Sequence, residues 1–330
     1  MDERARFADV PAKAGHYESF YIKACEPGGG RGIWIRHTVH KRPGAEPKGS
    51  IWFVLFDRGR ALGPRATKVT VPASELSAPA DDWIRVGDCV IGPGRAEGSV
   101  DTEALAAAWS MTFAGSAPPA KYLPADWLYE APLPRTKFVA PYPDARFEGR
   151  LEIEDDPYEF AGWHGMIGHN WGSEHAERWI WIEGTGFADA PNTYFDAGAA
   201  RVKLGKRTSP WIPSGMLMLD GVEHRLGGLG AIRSTAIDEA PSVCSFVLPG
   251  KDVVVRGRVA APERDFVGWV YADPDGPEHN TVNCSVADLE LTVERPGLPP
   301  RQLTLAAGAA YELGMRETDH GIPIQPYPDG

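Results

Sequence analysis

The sequence predicts an all-β protein built as two antiparallel β-barrel or β-sandwich domains packed together. Three observations predict it. The 330 residues include 37 glycines and 30 prolines, about one residue in five, and these fall at short intervals along the chain. Between them lie runs in which apolar and polar side chains alternate, the two-residue period of a half-buried strand. Only one stretch invites a helix, and its end reads as a strand.

In chain order the candidate strands cover residues 32–40, 50–57, 67–72, 83–90 and 147–153, then 178–187, 193–204, 216–226, 243–248, 252–259, 265–271, 282–293 and 302–307. Gly28, Gly29 and Gly30 precede the first of these and read as a hairpin turn. Within 216–226, Asp220 and Gly221 sit between two apolar runs, the signal for a tight two-residue hairpin. Residues 101–113 invite a helix because Asp101 could cap it and alanines follow. Trp109, Met111 and Phe113 then alternate with Ser110 and Thr112, so the reading is one helical turn at most and then a strand. Over 141–157, prolines and the acidic residues Glu152, Glu154, Asp155 and Asp156 interrupt the rhythm. This sets a boundary between an N-terminal domain, residues 1–155, and a C-terminal domain, residues 156–330. No repeat of 20 to 50 residues is present, which excludes solenoids and propellers. So many antiparallel strands are best protected by closing each sheet, which favours barrels.

Composition narrows the function. With 45 acidic against 34 basic residues the formal net charge is -11, which opposes phosphate-backbone binding and hence a nucleic-acid partner. The densest basic group, Lys203, Lys206 and Arg207, reads as a solvated strand end. No apolar run approaches the roughly 18 to 20 residues of a membrane helix, so no integral membrane segment is expected. No amphipathic docking helix is evident either, which leaves only transient contact with a membrane surface open. Residues 1–6 have mixed charge and no apolar core follows them, so a cytoplasmic location is expected. Cys25, Cys89, Cys244 and Cys284 are far apart and read as reduced, buried small hydrophobes.

The chemistry concentrates in residues 162–187, which hold three of the nine histidines and four of the eleven tryptophans among closely spaced glycines. Glycine lets backbone approach large rings closely. On an extended chain His169 and Trp171 share one face, as do Trp179 and Trp181, and as do Tyr194 and Asp196 in the following run. Antiparallel pairing of these runs would bring an imidazole, an indole, a phenol and a carboxyl group into one interior. The bland reading is that Trp179 and Trp181 are core or cavity wall. His164, His169, Glu174 and His175 match no zinc spacing, so no metal is expected. Nucleotide-binding loops and the nucleophile-elbow motif are missing as well.

Tyr158, Glu159 and Phe160, the glycine-rich run, His169-x-Trp171 and Tyr194-x-Asp196 together resemble the carotenoid 1,2-hydratase family and the wider tocopherol-cyclase-like group. Arg36, within the run of residues 33–38, is similar to an early strand motif of that group. The resemblance implies two lipocalin-like domains, the second carrying both motifs, and an active site at His169, Trp171, Tyr194 and Asp196. It implies a cofactor-independent hydratase or dehydratase acting on an alkene or tertiary alcohol of an apolar, isoprenoid-like or prenylated substrate. Asp196, kept neutral by apolar surroundings, would deliver the proton. Trp171 and Tyr194 would face the cation, and His169 would orient the acid or receive a proton. Trp179, Trp181, His164 and Trp163 would line the substrate site. Two other functions suit the same scaffold: a cyclase or pericyclic-type isomerase of an apolar natural product, and a non-catalytic carrier of a hydrophobic ligand.

Overall fold

The structure, a computed structural model, describes residues 3–316 and 320–328, so the first two residues of the mixed-charge N-terminus lie outside it. Among the described residues there is no α-helix, and no helix is long and apolar enough to cross a membrane. The first twelve strands are β1 (His16–Cys25), β2 (Arg31–Lys41), β3 (Lys48–Asp57), β4 (Arg65–Val71), β5 (Leu76–Ser77), β6 (Ile84–Val86), β7 (Cys89–Gly92), β8 (Arg95–Asp101), β9 (Ala106–Ala114), β10 (Ala120–Lys121), β11 (Thr136–Ile153) and β12 (Asp156–Gly172). They form one antiparallel sheet in the order β4-β3-β2-β1-β12-β11-β9-β8-β7-β6-β5, with β10 added against β11. The sheet curls until β2 and β3 lie over β6, and Phe20, Ile35, Phe53, Ile91, Trp109 and Phe147 fill its interior.

The second set comprises β13 (Arg178–Phe187), β14 (Ala190–Arg201), β15 (Lys203–Leu204), β16 (Arg207–Thr208), β17 (Ile212–Leu219), β18 (Val222–Gly227), β19 (Ala236–Ala240), β20 (Val243–Pro249), β21 (Val254–Ala260), β22 (Val267–Ala272), β23 (Glu278–Glu294) and β24 (Arg301–Met315). Ten of these form a sheet in the order β18-β17-β14-β13-β24-β23-β21-β20-β19, with β22 against β23. β15 and β16 make a separate exposed hairpin that carries the basic group. A backbone bridge between Leu226 and Gly250 joins the β18 end to the turn after β20, bringing the sheet close to closure.

Most strands fall where the alternation puts them. Asp220 and Gly221 take φ of 54° and 77° between β17 and β18, the left-handed pair that a tight hairpin requires. Residues 101–113 contain no helical turn: Thr102 caps a tight loop through the N–H groups of Ala104 and Leu105, and β9 follows. Residues 83–90 are two short strands, because Gly87 at φ 58° turns the chain between them. All four cysteines are buried and unpaired.

The interruption over 141–157 lies inside the sheet. Pro141 and Pro143 sit within β11, which loses register between Val139 and Tyr142 and again between Tyr142 and Ala145. A proline cannot donate to the ladder, and a bulge absorbs the missing bonds. The acidic run then turns the β11–β12 hairpin, with Glu154 at φ 58°. Sheet membership changes only between Gly172 and Arg178. His169-x-Trp171 therefore belongs to the first sheet, whereas Tyr194-x-Asp196 belongs to the second.

The sheets pack through their outer faces. Odd-numbered residues of β1, even-numbered residues of β2 and, beyond the bulge at Gly162, even-numbered residues of β12 look toward the second sheet, and the opposite residues fill the first barrel. In this seam Trp34 and Trp52 meet Trp269, and Lys23 Nζ pairs with Glu183 Oε2 at 2.8 Å, both side chains fully buried. Lys23 also donates to the Gly308 carbonyl. Removing one partner strands a charge in a water-free interior, so Lys23→Met or Glu183→Gln alone should cost about 3–5 kcal/mol. Lys23→Met combined with Glu183→Met should cost much less than the two single losses summed. Urea unfolding of the three variants measures both.

Candidate functional site

Asp196 lies on β14 opposite Glu183 of β13 and Met216 of β17, on the face turned to the seam. It is 1% exposed. Trp181 Nε1 donates to its Oδ1 at 2.8 Å, and the Tyr122 hydroxyl donates to its Oδ2. Around the carboxyl, Tyr122, Met166, Tyr194 and Met216 form a buried apolar cluster, with Tyr21, Phe138 and Trp181 packed against it. Burial pushes the Asp196 carboxyl up to about 7, and the nearby Glu183 charge adds to the rise; the bonds from Tyr122 and Trp181 oppose it. An acid in that range carries a transferable proton at neutral pH.

Three elements position the neighbours. Tyr122 follows β10 in a loop anchored by the Tyr129 hydroxyl, which accepts the N–H groups of Tyr122 and Leu123 at 2.9 and 3.1 Å. Arg225 ties the same loop to the second sheet by donating to the Lys121 carbonyl at 2.9 Å. The Tyr122 ring stacks on Phe138, centroids 4.1 Å apart. Tyr21 comes from β1 and meets the Trp181 indole edge to face at 5.4 Å. Gly168 of β12 makes this approach sterically allowed, since a Cβ there would overlap the Tyr21 ring. Tyr194 is fully buried, and its hydroxyl has no hydrogen-bond partner.

The predicted quartet divides between two places. Tyr194 and Asp196 share a face as expected, but His169 and Trp171 point the other way, into the first barrel. Strand alternation is the reason: on β12 Met166 joins the Asp196 cluster, while Ile167 packs in the barrel core and His169 follows it on that face. His169 stacks on Phe20 at 3.8 Å and lies 2.8 Å from Glu18 Oε1 through Nε2. Glu18 also accepts the backbone N–H groups of Arg6 and Phe7 and contacts His16 Nε2. Burial alone would raise the Glu18 carboxyl, yet bonds from His16 and His169 hold it at about 2. Burial depresses His169 against the pull of Glu18. Trp171 lies under the Arg6 guanidinium at 4.3 Å and beside Tyr129. The His-x-Trp pair thus fastens the N-terminal segment to the first barrel.

The expected lining residues divide likewise. Trp181 is at the acid. Trp179 is two residues away on the same face, donating to Glu312 Oε1 at 2.8 Å. Trp163 packs edge to face on Phe160 in the first barrel. His164 faces the seam against Gly186, and burial, with Arg146 and Lys23 nearby, lowers it to about 4. Tyr122, Tyr21 and Glu183 were missed by the sequence reading; the first lies in a loop without periodicity. Arg36 is in the seam, its guanidinium 4.2 Å above Tyr271.

No protein-family model matches the chain. An uncharacterised protein of Mycobacterium tuberculosis, found in strains H37Rv and CDC 1551, is 25% identical over 325 residues, covering 96% of this chain and 93% of its own. Among solved structures, a candidate AttH from Nitrosomonas europaea superposes with a TM-score of 0.56 at 12% identity, over 94% of this chain and 96% of that one. Kievitone hydratase from Nectria haematococca superposes with a TM-score of 0.50 at 9% identity, over 93% and 90%. The two-sheet build is shared almost end to end, so this chain has a fold in which a hydratase is constructed.

Because the Asp196 carboxyl is raised from 3.8, the stability it contributes is complete below about pH 3.8 and is lost as pH rises through about 7. Asp196→Asn reproduces the neutral acid. It should match the parent near pH 4 and exceed it by on the order of 4 kcal/mol well above pH 7, at about 1.4 kcal/mol per pK unit. Parallel urea titrations at the two pH values measure the difference.

Proposed function

We propose that the protein is a cofactor-independent acid catalyst that adds water to an alkene, or removes it from a tertiary alcohol, in an apolar isoprenoid-like or prenylated substrate. The observation that carries this reading is Asp196: a fully buried carboxyl with a raised pKa, held between a phenol and an indole in a methionine- and tyrosine-rich cluster. Tyr21, Phe138 and Trp181 keep accessible surface although they lie between the sheets, as side chains lining a substrate space do. The fold shared with kievitone hydratase and the Tyr-x-Asp resemblance support the same reading.

In the forward direction Asp196 transfers its proton to the less substituted alkene carbon. The C=C π pair forms the new C–H bond and leaves a tertiary cation. Tyr21, Tyr122 and Trp181 present electron-rich rings to that cation, worth about 2 kcal/mol or more each where water is excluded. Water bonds to the cation, and its extra proton returns to the Asp196 carboxylate through the Tyr122 hydroxyl. Dehydration runs through the same groups in reverse. His169 and Trp171 have no part in this scheme, because their side chains are on the other face of the sheet.

Incubation with a panel of prenylated phenols and acyclic isoprenoid alkenes, read by mass spectrometry, should give a product heavier by one water. An isomeric product would assign the same acid to ring closure instead. Asp196→Asn should lower turnover by about 10²–10⁴-fold; unchanged turnover removes the proposal. Activity should fall about tenfold per pH unit above 7, because the acid must be protonated. Tyr122→Phe removes a bond that lowers the Asp196 pKa, so the limb of the profile should move to higher pH.

A further inference from the structure

A second group of convergent side chains occupies the seam and has no part in proton transfer at Asp196. His175 lies in the link between β12 and β13. Asp273 and His279 close the base of the β22–β23 hairpin, where Tyr271 pairs with His279 and the Asp273 N–H donates to the Pro277 carbonyl at 3.1 Å. One ring nitrogen from each histidine and a carboxylate oxygen of Asp273 lie within 4.8 Å of one another. His279 is 0% and Asp273 4% exposed, and the His175 side chain is 8% exposed.

Their polar atoms are only partly satisfied by protein. Asp273 Oδ1 accepts the backbone N–H of His175 at 2.7 Å and lies 2.8 Å from its Nδ1. Asp273 Oδ2 and His175 Nε2 are buried and make no hydrogen bond, and the His279 ring nitrogens have only a contact with the Tyr271 backbone short of good geometry. Burying such groups unpaired forfeits their hydration with nothing in return, and native interiors avoid it. A water molecule needs room for a full probe sphere to satisfy them. A metal ion bonded at about 2.0–2.2 Å fits more tightly than that.

The surroundings hold the donors in place. The Tyr17 ring stacks on His175 at 3.9 Å and 16°, and Trp179 lies 5.7 Å from His175 and 5.4 Å from His279. Glu312 fixes two of the flanking rings, accepting from Trp179 Nε1 at 2.8 Å and from the Tyr271 hydroxyl at 3.0 Å. Ordered outer groups of this kind orient metal-binding imidazoles. Two imidazoles and one carboxylate form a donor set suited to zinc and its neighbours in the first transition row. Donors on a single tetrahedral ion at these bond lengths lie about 3.4 Å apart, so side-chain rotations that draw the widest-spaced pair together by about 1.4 Å complete the approach.

We propose that His175, Asp273 and His279 bind one divalent transition-metal ion of the zinc class, which braces the β12–β13 link against the β22–β23 hairpin. The ion is structural: it stands apart from Asp196 and leaves the chemistry there to the carboxyl. No sequence pattern announces it, since His175 and Asp273 are 98 residues apart.

The test uses the full-length protein treated with a chelator and dialysed, then titrated with Zn²⁺ and separately with Co²⁺. One equivalent should bind with micromolar or tighter affinity, raise the Tm, and give the visible bands of low-symmetry Co²⁺. His279→Ala and Asp273→Asn should each weaken uptake by roughly a hundredfold or more, exceeding the usual cost of losing an outer-layer partner. His224→Ala, a change at a histidine bonded instead to Asp252, should leave uptake unchanged. No stoichiometric uptake, or uptake indifferent to His279→Ala, overturns the proposal. Should the variants fail to fold, X-ray absorption on the zinc-loaded parent protein reads the ligands directly: two imidazoles and one carboxylate are expected, and any other set overturns it.

Discussion

The Lys23–Glu183 pair fixes how the two sheets can meet. Opposite charges shut away from water must touch, because each carries a desolvation penalty of several kcal/mol that the other chiefly offsets. Their contact locks the odd-numbered face of β1 against the odd-numbered face of β13. Sliding β1 by one residue would turn the ammonium into the first barrel and leave the carboxylate alone, and sliding β13 would strand the ammonium instead. With that parity set, Tyr21 must meet Trp181, and Asp196, directly across the ladder from Glu183, must look into the same seam. The carboxyl is thus raised by two effects of one arrangement, the dryness of the interface and the negative neighbour on the next strand.

β12 separates two chemistries a single peptide unit apart. One side carries His169 and Trp171 against Glu18 and Arg6, where a carboxylate well below its usual range gathers imidazoles and backbone N–H groups around the N-terminal segment. The other side carries Met166 and the bare backbone of Gly168, facing an acid near neutrality. Similar residue types make a well-supplied ionised carboxylate on one face and a nearly neutral acid on the other. What distinguishes them is hydrogen-bond supply: Glu18 has donors from His16, His169, Arg6 and Phe7, while Asp196 has two.

Much of the fold was legible because a sheet with one buried face writes itself as alternation, as β9 and β20 do plainly, while β3, buried on both faces, shows instead as a short apolar run. β1 escaped because both its faces are buried and both carry polar groups, Glu18 and His16 inward, Ser19 and Lys23 toward the seam, so no alternation of polarity survives. β12 escaped because its glycines at 162, 165, 168 and 172 read as loop, although at Gly165 and Gly168 their purpose is to admit the Lys23 backbone and the Tyr21 ring. At the site, the shared faces of Tyr194 with Asp196 and of Trp179 with Trp181 followed from period two alone. Tyr122 could not, since a loop residue is placed by tertiary anchors such as Tyr129 and Arg225 that no local pattern encodes. The pairing of His169 with Asp196 failed for a related reason: period two says which residues share a face of a strand, but not which sheet the strand joins.

Gly168 gives the seam its depth. The Tyr21 phenol occupies the volume that any side chain at that position would claim, and from there its ring meets the Trp181 indole edge to face. The place of the phenol ring beside the acid is therefore written in a hydrogen atom. A chain that carried alanine or serine there would have to move the Tyr21 ring, which would change the surroundings of the acid without touching Asp196 itself.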